Sequence, residues 1–420
     1  MGLTALVIRV NKQMKKVELL APAGNYSKFL TAMRFGADAV YIGGKNFSLR
    51  AFSDNFTEDE MKKAVEYAHS LGRKVYVTVN IFARNADIEK AEEYFKFLES
   101  INVDAAIVTD AGLIAVAKSV APKLALHLST QANTLNYKTV EFWAGQGVER
   151  VILARELSLA EIKEINDRMQ GKVETEVFVH GAMCISYSGR CLLSNYLNGR
   201  DSNRGECVQA CRWHYEIREF EKGGDYLTAE EDKRGTYILN SKDLNMIDHL
   251  DELIETGVSS LKIEGRMKSE YYLATVINAY RRAIDEYYEK GSDYKKTPFF
   301  AEELKNTMHR AFTTAYMLGD NKNTVNYENS QSAGDAVFVA YVKGYDKENG
   351  RMIVEMRNRF KKGDVLELLS PTDNFGKEIV LSKIENEKGE EVEDAKLVQQ
   401  TLYIYTDVVA GEGDFLRRKA

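Results

Sequence analysis

Across the first two-thirds of the chain, short β-rich runs alternate with amphipathic helical patterns, and this alternation limits the fold more than any other feature. The runs are Val17–Leu20, Ala39–Gly43, Val75–Val79, Ala105–Val108, Leu124–Leu128, Val151–Leu153, Glu176–Val179 and Leu261–Ile263. Between them, Met61, Ala64, Val65, Ala68 and Leu71 share one helical face, as do Ile88, Ala91, Phe95 and Leu98, and then Leu159, Ile162, Ile165 and Met169. Repeated strand–helix units predict a parallel sheet, and eight of them predict a closed (β/α)8 TIM-like barrel over residues 16–290. An open doubly wound sheet is the alternative. Its Gly-x-Gly-x-x-Gly turn does not follow the first strand, where the chain reads Ala21-Pro22-Ala23-Gly24-Asn25.

A barrel of this kind places its active site where strands end and βα loops begin. The polar residues at those ends are Asn80, Asp110, Ser129, Thr130, Gln131, Arg155, Glu156, His180, Glu264 and Arg266, with Arg50 after the second strand. They are expected to converge on one face. Taken singly, each reads equally well as a helix cap or a satisfied structural group.

The connection after the seventh strand, from Gly181 to Asn240, is longer than a barrel loop and helix need, and it holds all four cysteines of the chain. Cys184, Cys191, Cys207 and Cys211 follow the spacing Cys-x6-Cys-x15-Cys-x3-Cys. Four thiolates supply the ligand set of a cubane iron–sulfur cluster. Zinc is the main competitor, although only Cys207/Cys211 has the close spacing of a structural zinc pair; disulfides or plain buried thiols are the remaining readings. If the Cys207–Cys211 piece is helical, both sulfurs lie one turn apart on one face. An insertion at the catalytic end of a barrel is well placed to form a lid or a cofactor shelf.

Composition restricts the classes of partner. Hydrophobic residues make up 44% and charged residues 29% of 420, ordinary values for a globular chain, and 57 basic against 63 acidic residues give a net charge of −6. Nucleic-acid contact would therefore rest on local patches, for which there are two candidates. Arg190, Arg200, Arg204, Arg212 and Arg218 punctuate the cysteine region, and Arg351, Arg357, Arg359, Lys361 and Lys362 crowd a turn near the C-terminus. Leu3–Val10, interrupted by Arg9, is neither a signal peptide nor a span, so a cytoplasmic protein is expected, with residues 1–15 an extension or alternative start. After the eighth strand, helices are expected at Tyr271–Glu289, closing the barrel, and at Ala301–Tyr316, within a helical connector over 291–331, followed by a small C-terminal β-barrel domain over 332–420.

Glu176-Val-Phe-Val-His-Gly181-Ala-Met-Cys184, continuing through Gly189-Arg-Cys191-Leu-Leu-Ser194, resembles the signature of the collagenase-like peptidase family of unknown catalytic type. Leu20–Asn25, Gly36–Tyr41, Lys262-Ile-Glu-Gly-Arg266 and Met356-Arg-Asn-Arg-Phe360 extend the resemblance from Val17 to the end. Within that family the chain looks like the bacterial branch that forms 5-hydroxyuridine at the wobble position of tRNA. The resemblance implies a 4Fe–4S cluster on the four cysteines, prephenate as co-substrate and oxygen-independent hydroxylation of a tRNA uridine. Sister branches hydroxylate a 23S rRNA cytidine or the ubiquinone ring. Peptidase chemistry is the alternative. The sequence contains no His-Glu-x-x-His and no Gly-x-Ser-x-Gly, although a Cys184/His180 pair is conceivable. Guanidinium groups suit a dicarboxylate, so Arg50, Arg155 and Arg266, with Asn80 and Gln131, are the expected substrate contacts, and His180 and Glu264 the expected acid–base pair. Nothing calls for DNA or a membrane, and a paralogous partner or homo-oligomer is left open.

Overall fold

The structure, a computed structural model, describes residues 16–45, 47–48, 54–213, 240–319, 324–325 and 332–419. Arg50, Arg218 and the expected extension 1–15 lie outside the described residues.

Strands β1 (Glu18–Pro22), β2 (Ala39–Gly43), β3 (Lys74–Val79), β4 (Ala105–Val108), β5 (Leu126–Leu128), β6 (Arg150–Ile152) and β7 (Glu174–Ala182) pair in parallel in chain order. A short strand β8 (Asp243–Asn245) follows, and then β9 (Ser260–Ile263), which pairs in parallel with both β7 and β1 and closes an eight-stranded barrel. Helices α1 (Tyr26–Arg34), α2 (Glu58–Ser70), α3 (Asn85–Ser100), α4 (Ala111–Val120), α5 (Tyr137–Gly145) and α6 (Leu159–Met169) fill the first six crossovers. Their starts are written locally. Thr57 with Glu60, and Ser158 with Glu161, form capping boxes, and Asn25, Asp110 and Asn136 cap α1, α4 and α5. Asp110 is thereby a cap, its carboxylate accepting from the Leu113 N–H at 3.0 Å. Strands β2, β4, β5, β6 and β9 are buried along their whole length, as strands covered on both faces must be.

The remaining helices are α7 (Leu193–Asn198), α8 (Leu250–Glu255), α9 (Glu270–Lys290) and α10 (Pro298–Lys305), followed by strand β10 (Phe312–Thr313). Two features differ from expectation. The helix predicted over Ala301–Tyr316 stops at Lys305, because the chain beyond it is drawn into pairing: β10 lies parallel to β8, and His309 bridges Ala333. β8 itself runs antiparallel to the extended end of β7, with His180 opposite Asn245 and Ala182 opposite Asp243. The two short strands thus form a flap at the C-terminal end of the barrel.

The C-terminal region contains β11 (Ala336–Asp346), β12 (Arg351–Met356), β13 (Phe360–Lys361), β14 (Val365–Leu369), β15 (Glu378–Val380), β16 (Ile384–Asn386), β17 (Asp394–Ala395), β18 (Thr401–Tyr405) and β19 (Phe415–Lys419). Seven of these form one antiparallel sheet in the order β15-β14-β19-β11-β12-β18-β16, and β13 pairs with β17. The expected small β domain is present. Its ladder ends at β15 and β16 instead of joining into a ring, and Phe360 and Ala395 of the ribbon complete its separate core. The domain is anchored to the barrel side by Arg417, which grips Glu303 of α10 through two bonds of 2.6 and 2.7 Å, and by Arg34 on Asp414 at 2.6 Å. Phe415 packs against Phe35 and Tyr271 in the barrel's own core.

Candidate functional site

The floor of the barrel carries charge that strand periodicity does not advertise. Arg150, 3% exposed, reaches Glu174 at 2.6 Å, Glu176 at 3.2 Å and Glu18 across the barrel, and Lys262 binds Glu176 at 2.8 Å. Tyr76 and Ser260 donate to Glu18 at 2.7 and 3.0 Å. Burial opposes the charge on Arg150, but Glu176 and Glu18 more than offset it and hold the guanidinium protonated. Burial, and then Arg150, push His127 well below its ordinary value, so it is a neutral ring against Tyr76. Nearly every charge here has a partner, and positions at the N-terminal end of a barrel serve stability rather than chemistry.

At the opposite end, the cysteine-bearing insertion is tied onto the strand ends. Arg204 donates to the Phe82 carbonyl at 2.8 Å and pairs with Asp87 at 2.9 Å. Arg190 Nε donates to the Gln131 carbonyl at 2.8 Å, and Ser188 donates its N–H and hydroxyl to Glu156 at 2.8 and 2.6 Å. Three βα loops are therefore bridged by one excursion. The described part of the insertion is thus docked at the ends of β3, β5 and β6.

All four thiols are free, which removes the disulfide reading. Cys207 is exposed and the other three are half-buried. The Leu193 and Gln209 N–H groups point to Cys191 and Cys207 Sγ at 3.4 Å each, Ser194 reaches Cys207 Sγ at 3.7 Å, and Cys184 Sγ lies 2.9 Å from the Ser186 hydroxyl. Burial pushes the Cys211 thiol up; Cys184, Cys207 and Cys191 push it the same way, and Arg212 pulls it down. Cys211 thus feels all three other sulfurs. The piece between Cys207 and Cys211 is not a helical turn as expected: Gln209 is left-handed at φ 58°, and only Ala210–Arg212 forms a short 3-10 turn.

No three Cys, His, Asp or Glu groups among the described residues converge on a single-ion site. A tetrahedral zinc needs sulfurs about 3.8 Å apart, given Zn–S distances of about 2.3 Å. A cubane takes each cysteine on a different iron, so it accepts a wider set. The all-thiol donor set, backed by N–H groups, fits a cluster better than zinc.

The expected substrate residues separate into two groups. Gln131 is buried and structural: Asn80 Nδ2 and Ser129 Oγ both donate to its Oε1, at 2.9 and 3.3 Å. Arg266 is 4% exposed and spans the mouth from β9, donating to Ser48 at 2.6 Å, Thr78 at 3.3 Å and Asn55 at 2.6 Å. It passes so close to Gly43 that a Cβ there would lie 2.3 Å from Nη2. Arg155 lies 4.4 Å over the Phe178 ring and donates from Nη1 to the Ala182 carbonyl at 2.9 Å and toward Met183 Sδ at 3.8 Å, while its buried Nε has no partner among the described residues.

Glu264 is half-buried at the mouth, 3.4 Å from the Tyr41 hydroxyl. Gly181, at φ 109°, lets β7 pass it: a Cβ would sit 2.4 Å from the Glu264 carbonyl. His180 is not placed as an acid–base group. Its ring is 1% exposed, packed among Tyr272, Tyr280 and Phe312, and burial lowers its pKa to about 3. Cys184 Sγ faces Ser186 and His180 faces this aromatic box, so the Cys184/His180 peptidase pair is not assembled.

Sequence reasoning missed a cationic group beside Cys211. Arg310 clasps Asp243 through Nε at 3.1 Å and Nη2 at 2.5 Å. Lys268 Nζ donates to the Met308 carbonyl at 3.2 Å over the Tyr272 ring, and burial lowers its pKa. Arg212 is also lowered by burial and feels Arg310, Cys211 and Asp243. The flap of β8 and β10 brings these residues together, which local sequence could not announce. The nearest signal was Lys268, two residues beyond Arg266.

The model of Peptidase family U32 matches residues 24–327, and that of the Peptidase family U32 C-terminal domain matches 335–417. The chain is 42% identical over 388 residues to tRNA hydroxylation protein P1 of Bacillus subtilis (strain 168), covering 91% of this chain and 90% of that one. It is 39% identical over 418 residues to tRNA hydroxylation protein P of Escherichia coli (strain K12), covering 90% and 91%. With the 23S rRNA 5-hydroxycytidine C2501 synthase of Escherichia coli (strain K12) it shares 34% over 308 residues, 72% of this chain and 45% of that protein.

Proposed function

Since the chain belongs to peptidase family U32 in both its main and C-terminal parts, we propose that it is a tRNA-modifying hydroxylase that forms 5-hydroxyuridine at the wobble position, with prephenate as co-substrate and a 4Fe–4S cluster on Cys184, Cys191, Cys207 and Cys211. The main support is a likeness to two tRNA hydroxylation proteins over about nine-tenths of both chains, together with free thiols gathered at a barrel mouth. The likeness to the rRNA synthase covers less than half of that protein, which favours tRNA over rRNA as substrate.

A bound cluster would supply an electron-transfer or Lewis-acid centre. The residues of the chain would do the rest. Prephenate carries two carboxylates, and Arg155, whose buried Nε has no partner among the described residues, Arg212 beside Cys211, and Lys268 near Arg212 are the cations suited to receive them. Arg266 acts behind them, locking the ends of β2, β3 and β9 through its hydroxyl and amide partners. Glu264 is the candidate to take the proton lost from carbon 5 of the uracil ring. No feature of the site favours peptide hydrolysis.

Mass spectrometry of tRNA nucleosides from cells lacking the gene tests the reading. The 5-hydroxyuridine family should vanish, return with the intact gene and stay absent with Cys207→Ala. Unchanged nucleosides in the deletion strain would discard it.

A further inference from the structure

The two basic patches of the molecule differ in what neutralises them. In the C-terminal domain, Arg359 pairs with Asp394 at 2.6 Å, Lys362 with Glu391 at 2.6 Å and Glu393 at 3.0 Å, Arg357 with Glu355 at 2.6 Å, and Arg351 with Asp346 at 3.0 Å. That patch is basic in sequence and close to neutral in space.

At the barrel mouth, a groove of about 220 Å³ runs between the end of β2, the start of α3 and the insertion. Lys45, Phe47, Ser48, Ile81, Lys90 and Arg204 line it, with Asp87. Arg204 and Asp87 cancel each other in their ion pair. Lys45 and Lys90 are both exposed, and neither forms an ion pair among the described residues, so the groove keeps two uncompensated positive charges. Its apolar side is Phe47, stacked on Tyr94 at 5.4 Å, and Ile81. Its inner end is Ser48, buried and bonded to Arg266, which ties together the strand ends at the mouth.

We infer that this groove, and not the C-terminal β domain, binds the phosphate backbone of the RNA strand whose base enters the barrel. The inference rests on the tRNA reading above. A base that reacts inside a barrel must leave its stack, so the strand around it is single-stranded and its phosphates are spread along the entry. Two lysines on one rim meet successive phosphates, and the apolar wall of Phe47 and Ile81 suits sugar and base faces.

Fluorescence anisotropy of a labelled anticodon stem-loop RNA with the full-length protein, followed over a salt series, tests this. Lys45→Glu/Lys90→Glu should weaken binding about tenfold or more at low salt. It should also reduce the slope of log K against log salt by roughly 1.4, two strand phosphates at about 0.7 each. Lys347→Glu/Lys388→Glu, the same charge change on exposed turns of the C-terminal domain, should bind as wild type does. Wild-type affinity and slope in the groove variant, or loss in the C-terminal variant instead, would overturn the inference. Failure of the unaltered protein to bind the RNA even at low salt would instead overturn the tRNA reading itself.

Discussion

At the floor of the barrel, Arg150 and Lys262 are shared among Glu18, Glu174 and Glu176 in a closed network. At the mouth, the buried Nε of Arg155 has no partner among the described residues, Lys268 rests on a carbonyl, and Lys45 and Lys90 are exposed and form no ion pair among the described residues. Both ends are rich in charge. At the floor the cations are saturated by acids of the same chain, which rigidifies the barrel and leaves little for a ligand. At the mouth Arg204 and Arg310 are answered by Asp87 and Asp243, but Arg155, Lys268, Lys45 and Lys90 form no ion pair among the described residues, so an anion from outside gains there what the floor has already used. The difference teaches that a count of buried charge says little about function; what separates a strut from a site is whether each charge is already answered.

The sharpest way to break this contrast is Arg150→Ala. It removes the guanidinium shared by three carboxylates, of which Glu176 is fully buried, and should lower stability by about 3–5 kcal/mol, seen in urea or thermal unfolding. A loss near zero would show that the floor is not a strut. Cys207→Ala at the mouth should behave oppositely, removing bound iron and visible absorbance while the unfolding midpoint moves far less than in the Arg150 variant. Retained iron stoichiometry would refute the assigned ligand set. Glu264→Gln should slow turnover by about 10²–10⁴-fold with iron content unchanged, in the range for a lost proton-transfer group. Near-normal turnover would leave Glu264 a structural residue.

The smallest effect concerns His180. Its folded pKa, about 3, lies below the ordinary 6.5, so the unfolded chain takes up a proton there before the native one does. Its neutral burial therefore stabilises the fold fully above about pH 6.5, and that contribution declines as pH falls toward 3. His127 acts in the same direction. His180→Phe should flatten the fall of the melting temperature below pH 6.5. An unchanged slope would mean that the ring is not held neutral, which would restore it as an acid–base candidate.

Much of this was legible beforehand, and the misses have a common cause. The eight barrel strands were visible because strands covered on both faces read as short apolar runs, and their helices because buried positions recur at helical spacing. β8 and β10 were not, being three and two residues long and stabilised only by the overhang of β7. The helix expected past Lys305 failed for the same reason, since the partner that converted it to strand lies about 70 residues earlier in the chain. Among site residues, the four cysteines stood out by clustering, and Arg155 and Glu264 by position. His180 stood at a strand end as well, and only its three aromatic neighbours reveal it as core.

By itself the sequence determined the order of elements, the barrel, the excursion that carries the thiols and the identity of the groups available at the mouth, because periodicity, caps and spacing are local properties. Tertiary structure alone decided which charges are neutralised and which remain open. Arg150 meets Glu18 across 132 residues and Arg417 meets Glu303 across 114, and no local pattern encodes a partner at that distance. Coulomb energy depends on separation in space and on burial, and both arise only when the barrel closes.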